Sequence, residues 1–426
     1  MKPEPNNTYC HYPSRSVAMK TWDQDRLVAA WPCCMMGNIQ SEGVRAEDIL
    51  SMEGIETLTP QEIYDHPRME ALRDNLRSGR RDPACRICWR AESRGLRSFR
   101  MFSDHAPHHG LSNDEFNSID LTLSTVCNLR CRMCTTGSSN SLVIDRREFE
   151  SRDQLEQVQT ATAGFFNNNT VNSAVDSVQF AWLLENTHRI QHIRCSGGEP
   201  FHDRKIFRLL DRYIDTGAAS RTVLNFHTNG TLITEAVLEK LQHFRIVECE
   251  FSVDGIDRVY NYIRYPAEFS AVHQNIVNYA GLDAVQNLRF NMVVSAHNVF
   301  NIADYIGWID RVSEITGKPA TVVWSSVYPT RRGISLNNVS VDLLKLALEE
   351  IKSVDTAQDI TDIENLILSE IQNHRGDLDQ LAQETILFDG IRNQHYADYI
   401  DPRMAKYISS SQGLWHKMKS FVQPRR

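Results

Sequence analysis

Six short strand-like runs punctuate the middle of the chain. "SIDLTLST" (118–125) places Leu121 and Leu123 on one face, the alternation of a half-buried strand. "HIRCSG" (192–197), "TVLNFHTNG" (222–230), "IVECEFSVDG" (246–255), "LRFNMVVSA" (288–296) and "ATVVWSSVY" (320–328) continue the series. Helical periodicity fills several of the intervals. "RKIFRLLDRYIDTG" carries apolar residues at Ile206, Leu209, Leu210 and Tyr213 before a glycine stop, and "EAVLEKLQHF" is similar. Strands alternating with helices predict parallel pairing in an α/β architecture. Six units are too few for an eight-fold barrel, so an open or partial barrel is expected. The loops at the C-terminal ends of its strands are where chemistry belongs.

Beyond residue 330 the pattern changes. "SVDLLKLALEEIKSV" (340–354) predicts an amphipathic helix capped by Ser340, and "ITDIENLILSEIQNH" and "GDLDQLAQETILFDGIRNQ" predict two more. A mainly helical extension over 331–426 is expected to pack against or cap the barrel. Upstream, "SDHAPHHGLSNDEFN" (103–117) is polar and rich in turn formers, as a linker would be. The expected division is therefore 1–117, 118–330 and 331–426.

Composition narrows the function. With 46 Lys plus Arg against 54 Asp plus Glu, the 426-residue chain has a formal charge of −8, which gives no support for general nucleic-acid binding. No apolar run of about 18 residues offers a membrane span. The N-terminal "MKPEPNNTYCHYPSRS" lacks the apolar core of a secretory signal. The ten cysteines are thus expected to be reduced, cytoplasmic thiols, suited to metal binding or catalysis rather than a disulfide framework.

Their distribution is uneven. Cys10, Cys33, Cys34, Cys85 and Cys88 lie in the first hundred residues, and Cys195 and Cys249 in the middle. "CNLRCRMC" brings Cys127, Cys131 and Cys134 together at offsets 0, 4 and 7. Such offsets would align on a helix as a stripe of small buried hydrophobes. Yet the segment follows a strand, contains Asn128, Arg130 and Arg132, and runs into "TTGSSNS", so a loop is expected. Structural zinc needs four ligands and no fourth follows nearby. A cubane iron–sulfur cluster also takes four, so three thiolates leave one iron open to an exchangeable ligand.

CxxxCxxC in the loop after the first strand of a partial (β/α)6 barrel resembles the radical SAM superfamily. The resemblance implies a [4Fe–4S] cluster on Cys127, Cys131 and Cys134 whose open iron chelates S-adenosylmethionine (SAM). Reductive cleavage then gives methionine and a 5′-deoxyadenosyl radical that takes hydrogen from a substrate. An external donor such as flavodoxin or ferredoxin supplies the electron. "CSGGEP" looks like the family's GGEP motif, which implies that Gly197, Gly198, Glu199 and Pro200 hold the SAM ammonium. "TNGTL" and "SVDG" imply polar contacts from Asn229 and Ser252. Arg264 matches an arginine that pairs with the SAM carboxylate, and Met133 stands beside the adenine. The resemblance spans about 118–330.

The remaining N-terminal cysteines allow three readings. One CxxC (Cys85, Cys88) with Cys10 and Cys33, or Cys34 in its place, could bind zinc, or these could be buried thiols. They also resemble the SPASM and twitch modules of radical SAM proteins, which implies an auxiliary [4Fe–4S] cluster, here ahead of the barrel rather than after it. The nearby arginines, among them Arg77, Arg81, Arg90 and Arg100, read as a solvated face or as a docking strip for an acidic partner.

Strand alternation places Glu248 and Glu250 on the side of Ser252, and Asn225 and His227 on the side of Asn229. His227 and Glu250 are candidates for the substrate chamber, unless they form an internal hydrogen-bonded network. Cys195 and Cys249 are candidate radical-quenching thiols, though core burial is the simpler reading. The resemblance implies oxidation, crosslinking or epimerisation of a ribosomal peptide or protein side chain. A small molecule such as a sugar or nucleoside is the alternative substrate, and an iron–sulfur electron carrier or sensor the alternative outside catalysis.

Overall fold

The computed structural model describes residues 8–23, 26–31, 33, 54–93, 98–101, 115–162, 177–327 and 333–411. Cys34 and most of the expected linker at 103–117 lie outside these residues.

All six expected strands form: β3 (Ser118–Thr122), β4 (His192–Ser196), β5 (Val223–Thr228), β6 (Ile246–Ser252), β7 (Leu288–Val294) and β8 (Ala320–Ser326). Two further strands precede them, β1 (Ser16–Asp23) and β2 (Arg26–Trp31). The sheet order is β2-β1-β3-β4-β5-β6-β7-β8. β1 pairs antiparallel with β2 and parallel with β3, with Val17 opposite Ile119 and Met19 opposite Leu121. The cysteine-rich segment is therefore joined to β3 by backbone hydrogen bonds.

The chain divides into two compact units. The first comprises Met1–Val126, Asn169–His227 and Glu235–Glu248. β3 to β5 pair in parallel register here. The outward face of β4 buries Ile193 and Cys195, while Arg194 and Ser196 on its other face stay partly accessible. The helix Arg204–Asp215 buries the four apolar residues expected, Ile206, Leu209, Leu210 and Tyr213. Asp203 caps it by accepting from the Lys205 amide, the usual remedy for an unpaired first-turn donor.

The second unit comprises Cys127–Asn168, Thr228–Thr234 and Cys249–Arg426. β6, β7 and β8 are parallel, and Phe251, Phe290 and Trp308 pack among the aromatic rings of its core. The helices Val341–Lys352, Thr361–Gln372, Leu378–Arg392 and Pro402–Ser409 form the end of the described chain. Ser340 caps the first of them, accepting from Leu343. Leu387 and Phe388 close a cluster with Leu142, Phe149, Val158 and Ala161 from the two helices that follow the cysteine trio.

Candidate functional site

Residues 127–134 form no helix, so the three cysteines are not a helical stripe. Cys127 and Cys131 are buried and Cys134 half-buried. The loop is folded back by the polar segment after it. Ser139 Oγ donates to the Leu129 carbonyl at 2.6 Å, Ser141 Oγ to that of Cys127 at 2.5 Å, and the Cys127 amide to Asn140 Oδ1 at 3.2 Å. A second side is fixed by backbone bonds from Arg130 to Tyr265 (2.8 Å) and from Arg132 to Ile263 (2.9 Å). The Leu129 amide points at the Cys127 sulfur at 3.4 Å.

Buried charge surrounds this loop. Asp145 bridges Arg130 (2.7 Å) and Arg392 (2.5 Å). Arg132 binds Asp389 at 2.5 Å and lies over the Tyr262 ring. Arg264 binds Asp254 at 2.6 Å and reaches the Cys131 sulfur at 3.9 Å. Four guanidinium groups thus meet three carboxylates. Arg392 is fully buried, yet among the described residues its Nε and Nη1 have no partner. An uncompensated buried cation is costly, and this surplus fits a neighbouring group of negative charge. A hydrogen bond with the Cys134 thiol draws the pKa of Cys131 below the ordinary thiol value. Burial opposes that effect and Arg264 adds to it. The same bond, with burial, pushes Cys134 up.

Asn229 lies beside the trio. Its Nδ2 donates to Asn128 Oδ1 at 2.9 Å and is 4.0 Å from the Cys127 sulfur, and its Oδ1 accepts from the amide and hydroxyl of Thr231. Met133 is buried in the loop, and Ser252 is half-buried at the end of β6. The second unit therefore assembles the trio with Asn229 and Arg264.

The glycine motif lies in the first unit, against the end of the β3 loop. Gly197 has φ +98°, open to glycine at little cost, and a Cβ on Gly198 would stand 2.0 Å from the Val126 carbonyl oxygen. That close approach lets the Gly198 amide donate to Ser124 O (2.9 Å) and the Glu199 amide to Val126 O (2.8 Å). The Glu199 carboxylate is 1% exposed and accepts from the Phe201 amide. Pro200 opens the short 3-10 turn that follows.

The inward face of β3 to β5 is a polar ladder. Ser118 meets His192 at 2.8 Å and Thr122 meets Ser196 at 3.2 Å. Between these rungs Arg194 binds Asp120 at 2.8 Å and also His227. Asn225 donates to Glu248 at 3.3 Å. In the second unit Glu250 takes a bond from Asn291 and faces Arg289 at 3.7 Å. His227 and Glu250 thus sit in networks. Asp120 and Arg194 escaped the sequence reading, although each lies at an alternate position of its strand and could have been found by the same parity. Cys195 and Cys249 are fully buried core residues, and burial, followed by the charge of Asp120, pushes the Cys195 thiol up.

Cys10, Cys33, Cys85 and Cys88 line one pocket with Pro13, Ala84, Ile87, Phe99 and Arg100. Cys10 is the N-cap of the helix His11–Arg15, Cys33 follows β2, and Cys85 and Cys88 flank the start of the helix Arg86–Ser93. The β1–β2 hairpin thus spans the sequence between the first two thiols. Asp82 braces the other two, accepting from the Ala84 amide and, through its carbonyl, from Trp89. Among the described residues no three His, Cys, Asp or Glu side chains converge as a single metal ion requires. No helix there is long and apolar enough to cross a membrane.

No curated protein matches the chain. Among solved structures 26 chains match. The crystal structure of Streptococcus suis SuiB bound to S-adenosylmethionine aligns with TM-score 0.37 and 13% identity, over 70% of this chain and 59% of that one. SuiB bound to its precursor peptide SuiA gives 0.35 and 10%, over 74% and 69%. Hexahistidine-tagged anSMEcpe with bound AdoMet gives 0.33 and 15%, over 59% and 66%. This chain therefore spans about three fifths of the first SuiB chain. Residues 121–282, which include the cysteine loop, the glycine motif and Arg264, match the family model described as "Radical SAM superfamily".

Proposed function

We propose that Cys127, Cys131 and Cys134 hold a [4Fe–4S] cluster, that Glu199 accepts the ammonium of SAM, and that the enzyme modifies a peptide or protein side chain. The supporting observation is the cysteine loop itself. It presents three thiols and no fourth, is braced on two sides by backbone and serine hydrogen bonds, and has four arginines against three aspartates around it. That donor set and that charge fit a thiolate cluster with one iron open. When bound, such a cluster supplies the electron that cleaves SAM to methionine and a 5′-deoxyadenosyl radical. The protein's own contribution is to position. Gly197 and Gly198 bring the backbone within bonding distance of residues 124–126, which fixes Glu199. Asp254 holds Arg264 beside Cys131, where its remaining donors suit a carboxylate.

The experiment is anaerobic reconstitution followed by SAM and dithionite, with 5′-deoxyadenosine read by mass spectrometry. The parent should form it, and a variant with all three cysteines changed to Ala should form none. Cleavage retained in that variant would overturn the assignment.

We also assign an auxiliary [4Fe–4S] cluster to Cys10, Cys33, Cys85 and Cys88. Four thiols on one pocket complete the coordination of a cubane. Zinc, which takes four sulfurs at about 2.3 Å from one centre, is the alternative at this pocket. A SPASM-like or twitch-like centre is the reason for preferring a peptide substrate. The polar ladder of Asp120, Arg194 and His227 favours the second reading, a hydroxyl-rich small molecule. A mass shift in a co-expressed peptide encoded beside the enzyme, against turnover of a sugar and nucleoside panel, separates the two.

A further inference from the structure

One arginine lines the four-cysteine pocket and a second ends the short helix that supplies Pro13 to its wall, and they differ in one respect. Arg100 lines the pocket, but its charge is matched. Its guanidinium grips Glu92 through two bonds of 3.0 and 2.9 Å and donates to the Tyr9 carbonyl at 3.0 Å. Ser98 completes the Glu92 carboxylate at 2.5 Å, and the Trp89 ring lies 5.0 Å from the Arg100 guanidinium carbon. Arg15 has no such match. It ends the short helix His11–Arg15, which Cys10 caps and which contributes Pro13 to the pocket wall. It is 6% exposed, and among the described residues its Nε and Nη1 have no partner. An arginine does not shed its charge in a protein, so this one is a buried cation with no counter-ion among the described residues. Burial lowers the pKa of Arg15, and Tyr12, Tyr9 and Cys10, when ionised, would raise it.

We infer that Arg15 is the counter-charge of the auxiliary centre and that the Arg15, Arg100 and Glu92 trio sets that centre's reduction potential. The inference rests on the cluster assignment above. Four thiolates around a [4Fe–4S] core leave a net negative charge that grows by one on reduction. A buried, uncompensated cation stabilises the more negative state and so raises the potential, because charge and hydrogen bonding around the sulfurs tune it. Glu92 cancels Arg100 and holds the potential back. Arg15 and Glu92 are therefore positioning residues of opposite sign.

The test uses the full chain with Cys127, Cys131 and Cys134 changed to Ala, so that any remaining cluster is the N-terminal one. Reconstituted protein is titrated with dithionite and the reduced cluster is followed by electron paramagnetic resonance. Arg15→Gln should move the midpoint to more negative potential, Arg15→Lys should restore it towards the parent, and Glu92→Gln should move it to more positive potential. Intact clusters with unchanged midpoints in Arg15→Gln and Glu92→Gln would overturn the inference. If Arg15→Gln fails to load iron, the sign of the Glu92→Gln shift decides: positive upholds the inference, zero or negative rejects it. A parent without iron would instead reject the auxiliary cluster.

Discussion

At the scale of single residues, the glycine motif acts by exclusion of side chains. A methyl on Gly198 would fall 2.0 Å from the Val126 carbonyl oxygen, and neither partner is a flexible side-chain tip that could yield. Gly198→Ala should therefore cost about 1–3 kcal/mol, as overpacking does, and should displace Glu199. The contrast is Gly390, in the helix Leu378–Arg392, where an added methyl meets nothing within 4 Å. Gly390→Ala should raise stability by about 0.5–1 kcal/mol through helix propensity. Opposite shifts of the thermal midpoint, with SAM cleavage lost only in Gly198→Ala, are the expected readout. Both the trio and the glycine motif were legible in the sequence because their chemistry is local: thiols a few residues apart, and glycines where a strand ends. Arg392 was not legible. Its carboxylate partner is 247 residues away, and that of Arg132 is 257 away, separations that no spacing rule connects.

At the scale of elements, the strands β3 to β8 were readable because each is a short apolar run bounded by turn residues. β1 and β2 were not. "SVAMKTWD" and "RLVAAW" mix good strand formers with alanine and charged residues, and the pairing of β1 with β3 rather than propensity makes them strands. The helical extension was foreseen as a cap, but the foresight missed how it engages the cysteine loop. Asp389, from the helix Leu378–Arg392, accepts from Arg132, from the Tyr262 hydroxyl and from the Tyr396 amide. Asp389→Ala would leave Arg132, 1% exposed, without its carboxylate. Breaking a buried pair in this way costs about 3–5 kcal/mol. The expected result is a lowered urea midpoint together with reduced iron in the cysteine loop, while the N-terminal site keeps its metal. Unchanged loop iron at full occupancy would mean that the extension braces the fold and not the cofactor.

At the scale of the whole molecule, the two cysteine groups are built on different supports. The trio belongs to the second unit, where its loop is held by Ile263, Tyr265, Asp145 and Asp389. The four-cysteine pocket belongs to the first and is held by the β1–β2 hairpin, Asp82 and the Arg100–Glu92 pair. None of these supports is shared, so each site should load without the other. Changing the trio to Ala should leave about four iron and four sulfide per chain, the content of one cubane. Replacing Cys85 and Cys88 as well should remove them. With Cys85 and Cys88 alone replaced, SAM cleavage should persist while substrate turnover fails, since the auxiliary cluster proposed here would be fully ligated, with no open iron for SAM, and would serve electron transfer. Metal analysis also separates the alternatives at the N-terminal pocket. Zinc without iron in the trio variant would make it a structural site, and abolition of SAM cleavage by Cys85→Ala with Cys88→Ala would show that the two supports are coupled after all.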